Sequence, residues 1–193
     1  MRSLRAALAA SLAALALLAG CSDDDPSPGD PSSTWTPTSE PETPTSSATA
    51  KPTEPRLPDA ATKATEDGAR AFIAYYWDLV NYAQVTGDVK ALKRASGSTC
   101  DGCSRAIDAV EQLYGSGGHA EGGEYVLRIV RIKELTSKDQ ALYGMEAVLE
   151  ARNAPQRIVR DGDVELSEPR TSRFTTYTIW VDEAWRTDIL EPR

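Results

Sequence analysis

The run Gly115-Ser116-Gly117-Gly118 divides the folded part of the chain into two halves with different hydrophobic periods. Before it, apolar residues recur every three or four positions. After it they alternate, residue by residue. A period near 3.6 specifies an amphipathic helix and a period of 2 specifies a half-buried strand. A chain that completes its helices and then its strands belongs to the α+β class, because alternating βαβ units are excluded.

The helical half holds three segments. Thr62 or Thr65 caps the first, and Glu66 and Asp67 follow in its first turn, where carboxylates favour the helix dipole. Its apolar stripe runs through Ala69, Phe72, Ile73, Tyr76, Val80 and Ala83, widened by Tyr75, Trp77, Leu79 and Tyr82. Gly87 ends it, and Asp88 caps a short second helix through Val89 and Leu92. A third helix starts at Cys100 or Asp101 with a stripe of Cys103, Ile107, Val110 and Tyr114.

In the second half, Glu124 to Glu134 and Ala141 to Arg152 read as strands. Asp161-Gly162 specifies a tight hairpin between short strands near Ile158-Val159 and Val164-Glu165-Leu166. Ser172 to Val181 and Trp185 to Leu190 complete the set, joined across Asp182-Glu183-Ala184. The expectation is three helices packed under one curved antiparallel sheet of five or six strands, occupying residues 58–193. About 135 residues suffice for one core.

The first 57 residues have a different character. Met1-Arg2-Ser3-Leu4-Arg5 is basic, and residues 6–20 are uncharged Ala, Leu, Ser and Gly. That run is shorter than the roughly 20 residues of a membrane-spanning helix and has the form of a signal-peptide core. Residues 1–20 are therefore expected to be removed. Leu18-Ala19-Gly20-Cys21 resembles a lipobox, which implies diacylation of Cys21 and a cell-membrane anchor on the extracytoplasmic face. Residues 21–57 are rich in Ser, Thr, Pro, Asp and Glu, with too little apolar surface to offset the entropy of ordering a backbone. They read as a disordered tether with a reach of at most roughly 110 Å, of a composition found in O-glycosylated stalks. Trp35 stands out there without a physical account.

Net charge is −8. Loss of Arg2 and Arg5 leaves 19 basic against 29 acidic residues. This balance argues against nucleic acid or anionic lipid as partners, since both demand clustered cations.

Among candidate sites, Cys100-Asp101-Gly102-Cys103 fits a structural disulfide better than a redox pair, because no βαβ context surrounds it. A closed zinc site wants four ligands and the chain has one histidine, so no metal or other cofactor is expected. That residue, His119, sits in a glycine-rich stretch that reads as a mobile loop. Glu146, Glu150, Asp182 and Asp188 lie on or beside strands, and Glu146 and Asp182 are the candidates for a catalytic carboxylate. Tyr76, Trp77, Tyr143, Tyr177 and Trp180 are candidates to line an apolar pocket, with most of the aromatics serving the core.

The element order, the long aromatic first helix and the terminal Trp-Arg-Thr-Asp-Ile strand resemble the nuclear-transport-factor-2-like cone fold, of the cystatin and SnoaL type. Ketosteroid isomerase and polyketide cyclases share it. More narrowly, Thr65-Glu66-Asp67-Gly68-Ala69-Arg70-Ala71-Phe72, Thr86-Gly87-Asp88 and Cys100-x-x-Cys103 resemble an uncharacterised family of actinobacterial lipoproteins. The first reading is a non-enzymatic envelope module that binds a small apolar ligand or an envelope protein. The alternatives are an isomerase- or cyclase-like enzyme using a buried carboxylate, and an accessory module for cell-wall assembly. Function does not follow from this fold, which hosts all three.

Overall fold

The computed structural model describes residues 52–136 and 142–193. The signal segment, Cys21, Trp35, nearly all of the tether and Ala141 lie outside the described residues. No described helix is long and apolar enough to cross a membrane.

A 3-10 turn at Asp59–Thr62 leads into α1 (Glu66–Thr86), α2 (Lys90–Ala95) and α3 (Asp101–Gly115). Of the two caps offered by the sequence, Thr65 is used: its hydroxyl accepts the Gly68 N–H at 3.0 Å. Gly87 ends α1 in the left-handed region at φ 75°, and its N–H donates to the Ala83 carbonyl. The Asp88 carboxylate accepts the Lys90 N–H at the head of α2. The buried face of α1 carries Ala69, Phe72, Ile73, Tyr76 and Ala83, as the stripe requires, and adds Trp77 and Leu79. On α3, Cys103 and Ile107 are buried as expected. Leu113 takes the place of Tyr114, whose hydroxyl reaches the Gln84 carbonyl and whose ring is half-buried.

Seven strands follow: β1 (His119–Gly122), β2 (Tyr125–Thr136), β3 (Tyr143–Asn153), β4 (Gln156–Arg160), β5 (Asp163–Ser167), β6 (Thr171–Val181) and β7 (Ala184–Pro192). They form two antiparallel sheets rather than one, a four-stranded sheet in the order β2-β3-β6-β7 and a three-stranded sheet in the order β1-β4-β5. Pro155 has no N–H to continue the ladder. Opposite it, Gly122 and Gly123 both take positive φ, a conformation closed to most side chains. Two hydrogen bonds bridge the break, from Gly123 N to Pro155 O and from Ala154 N to Glu124 O, each 2.9 Å. The ladder therefore stops here, and β1, β4 and β5 pair as a sheet separate from the large one.

The mobile loop expected around His119 is a strand instead, with His119 to Gly122 registered against Val159 to Gln156. Four residues with one apolar member, flanked by glycines, give no alternation long enough to read. The Asp161-Gly162 turn follows its sequence, whereas the β6–β7 connection is one residue shorter than Asp182-Glu183-Ala184, since Ala184 already pairs with Val181. Asp161-Gly162 and Asp182-Glu183 each place two consecutive residues at positive φ, the geometry that matches strand twist in a two-residue hairpin.

The core lies between α1, α2, α3 and the inner face of the large sheet. Met145, Ala147, Leu149 and Ala151 of β3 point inward and are nearly or wholly buried. Asn81 ties α1 to the sheet: its side-chain amide accepts the Tyr125 N–H at 2.7 Å and donates to the Tyr125 carbonyl at 3.0 Å. The amide thus acts as a ladder partner at the start of β2.

Candidate functional site

Between α1, α3 and one end of the large sheet, a cleft of about 250 Å³ opens to solvent. Trp77 and Val80 come from α1, Gly102, Arg105 and Ala106 from α3. Tyr125, Phe174, Leu190 and Pro192 supply the strand side. Trp77 is nearly buried, and its ring meets those of Tyr125 and Phe174 edge-on at centroid distances of 5.1 and 5.2 Å. Such T-shaped pairs are favoured by the ring quadrupoles and fix the wall. The lining holds one permanently charged group, Arg105, and no carboxylate. This is a surface suited to apolar atoms.

The floor depends on a close approach. The backbone of α3 at Gly102 sits against β7, such that a Cβ built on Gly102 would fall 1.8 Å from the Leu190 carbonyl oxygen. Cys100 and Cys103, bonded to each other and almost fully buried, hold that first turn of α3 in place. Buried sulfurs already joined to each other are placed for structure, not for exchange with a partner.

The aromatic residues expected to line a pocket go to four different places. Trp77 lines the cleft. Tyr76 is packed in the core, where its hydroxyl shares a hydrogen bond with Ser96 Oγ at 3.1 Å, and burial pushes its pKa up to about 12. Tyr143, Trp180 and Trp185 sit side by side on β3, β6 and β7 and stack at the opposite end of the sheet from the cleft. Tyr177 points to the outer face, where it donates to Glu146.

The carboxylate candidates also lie away from the cleft. Glu146 is on the outer face of β3, 2.9 Å from Lys133 Nζ and 3.4 Å from Arg131. Its pKa is lowered, chiefly by the hydrogen bond from Lys133, which outweighs the opposing effect of burial, with smaller help from Tyr177 and the charges of Lys133 and Arg131. A general base in an apolar pocket is shifted the other way. Glu150, held between Arg128 and Arg173, is lowered for the same reason. Asp182 is exposed on the β6–β7 turn, and Asp188 pairs with Arg186 at 2.6 Å. Burial raises the Asp78 carboxyl above its ordinary value, but Asp78 does not line the cleft. His119 is exposed on β1, 3.6 Å from Glu121.

Arg105, Tyr125, Phe174 and Leu190 escaped the sequence reading. Each belongs to a different element, and only the packing of α3 across the strand ends joins them. Phe174 had one available signal: it shares the inward alternation of Thr176, Thr178 and Trp180 along β6.

Among solved structures, the fold is similar to the intermembrane-space region of the chloroplast protein ARC6, with a TM-score of 0.50 and 12% identity over 66% of this chain and 95% of that one. A cystatin-like domain of unknown function from Nostoc punctiforme aligns with a TM-score of 0.41 and 15% identity, covering 66% of this chain and 78% of that one. An NTF-2-like protein of unknown function from Shewanella oneidensis aligns at 0.38 and 18% identity, covering 64% and 97%. No curated protein matches the sequence. The family model for DUF6318, described as a family of unknown function, matches residues 37–191, and the chain belongs to that family.

Proposed function

We propose that this protein is a lipid-anchored component of the cell envelope whose domain binds the apolar part of a ligand in the cleft between α1, α3 and the large sheet. The observation that carries the reading is the lining itself: Trp77, Val80, Ala106, Tyr125, Phe174 and Leu190 present apolar surface with no carboxylate among them. Sites for small molecules are typically concave and apolar, with a few polar groups that orient the ligand. Arg105 is the group placed to do so here. An isomerase- or cyclase-type mechanism would need a shielded carboxylate, and the ion-paired Glu146 does not offer one.

The anchor rests on Leu18-Ala19-Gly20-Cys21 after an uncharged run, and the extracytoplasmic location is supported by the bonded Cys100–Cys103 pair, a feature of oxidising compartments. A diacylated cysteine supplies the two chains that stable anchoring requires. Residues 21–57 would then space the domain from the bilayer.

The test uses N-phenyl-1-naphthylamine, a neutral apolar dye. The reading expects saturable binding at one site and its loss in Ala106→Trp, which fills the cleft from an exposed helix position. Unchanged dye binding in that variant would remove the cleft from consideration. In cells, Cys21→Ser should release the protein from the membrane fraction.

A further inference from the structure

We infer that the outer face of the four-stranded sheet is a docking surface for an anionic lipid bilayer. The acidic composition argues against such a partner, but composition is blind to register. On this face the ladder aligns Arg128 with Glu150 and Arg173, and Lys133 with Glu146 and Tyr177. Arg131 and Arg152 share the same side of β2 and β3. Arg186, opposite Ile179, joins this face paired with Asp188, so six cations stand against four carboxylates, Glu146, Glu150, Glu191 and Asp188.

Height above the sheet increases the asymmetry. The side chains of Glu146 and Glu150 are 13% and 18% exposed, whereas those of Arg128, Arg131, Lys133 and Arg173 are 54–67% exposed. Each carboxylate lies low and holds its cations from beneath. Glu150 uses one oxygen for Arg128 and the other for Arg173, and Glu146 divides its oxygens between Arg131 and Lys133. The cations are thereby held in place before any partner arrives, while the surface presented to a partner is positive. Carboxylates elsewhere on the domain act weakly across it, because salt screens charges beyond roughly 8–10 Å.

Exposed apolar side chains on the same strands favour a bilayer over a soluble polyanion. Val126 is 74% exposed, and Val130 and Ile189 are 43% and 37% exposed. Valines between arginines suit a headgroup region, where cations meet phosphates and short apolar groups reach the acyl boundary. A polyphosphate chain in water would give those valines nothing. The inference is independent of what the cleft binds.

Residues 21–193 carrying Cys21→Ser have no lipid of their own, so any sedimentation with vesicles reports the face alone. Vesicles with 30% phosphatidylglycerol in phosphatidylcholine should bring the protein down at low salt, and pure phosphatidylcholine should not. Near a membrane surface each cation strengthens binding by up to about fivefold, so Arg128→Gln/Arg131→Gln/Lys133→Gln should weaken it by roughly a hundredfold. Glu150→Gln, which removes a negative charge and keeps both arginines, should bind at least as well as the parent. This second variant keeps the test decisive if the triple variant does not fold. Equal binding to both kinds of vesicle, or weaker binding by Glu150→Gln, would overturn the inference. So would a dimer in sedimentation velocity that these substitutions split and that ignores vesicles, since the face would then join two copies of the chain.

Discussion

Replacing Gly102 by alanine puts a methyl group where the structure leaves 1.8 Å to the Leu190 carbonyl oxygen. In an exposed helix this substitution would stabilise by about 1 kcal/mol, because alanine loses less backbone entropy than glycine. Here the obstacle is a backbone atom of β7, which cannot rotate aside as a side chain could. Restoring an ordinary contact requires α3 and β7 to separate by more than an ångström, at a turn fixed by the Cys100–Cys103 bond. Overpacking of this kind costs about 1–3 kcal/mol, and a backbone obstacle places this case at the upper end. The net expectation is a loss of about 2 kcal/mol, or roughly 6–10 °C in Tm for a domain of this size. Differential scanning calorimetry on the parent and Gly102→Ala measures it directly. Dye binding should weaken in the same variant, because Gly102, Leu190 and Ala106 all line the cleft. A Tm equal to or above that of the parent would refute the close approach, and with it the floor of the cleft.

Asn81→Ala removes both hydrogen bonds to the Tyr125 backbone and should cost about 2 kcal/mol, with faster amide exchange at Tyr125 as the local signature. Slow exchange in the variant would show that α1 does not pin β2. Reducing the Cys100–Cys103 bond, which closes a four-residue loop, should lower stability by about 2 kcal/mol on the chain-entropy model, and melts with and without reductant would differ accordingly. Identical melts would show that the bond does not constrain α3. Glu146 and Glu150 have folded pKa values below the ordinary carboxylate value, so their contribution is present above about pH 4.3 and is lost as pH falls through the folded values. Urea unfolding between pH 7 and pH 2.5 should therefore steepen below that point, and Glu146→Gln/Glu150→Gln should flatten the dependence. An unchanged slope in the double variant would remove these two groups as its source.

Legibility in the sequence followed the range of the signal. The cap at Thr65, the stop at Gly87 and the turn at Asp161-Gly162 are decided within four or five residues, and each is where local chemistry puts it. The break into two sheets is not local. It needs Pro155 to lie opposite Gly122-Gly123, and those residues are brought together only once β3 has paired with β2. The cleft is harder still. Arg105 and Phe174 are nearly seventy positions apart in the numbering, and nothing in either segment marks them as neighbours.

Where the charge falls is illegible in the sequence for a related reason. Along β3 the carboxylates of Glu146 and Glu150 fall four residues apart, so both point to one face, and taken alone they mark that strand as acidic. Pairing reverses the sign. Register sets Lys133 beside the first carboxylate, and Arg128 and Arg173 on either side of the second, with Arg131 within reach of the first. A shift of β2 by one residue would turn these cations toward the core and bring Leu127, Ile129 and Ile132 to the surface, which the hydrophobic requirement of the core forbids. The basic face is therefore fixed by the same alternation that builds the interior. Its cations are as strongly specified by the fold as the buried residues between them, although the chain as a whole carries a net charge of −8.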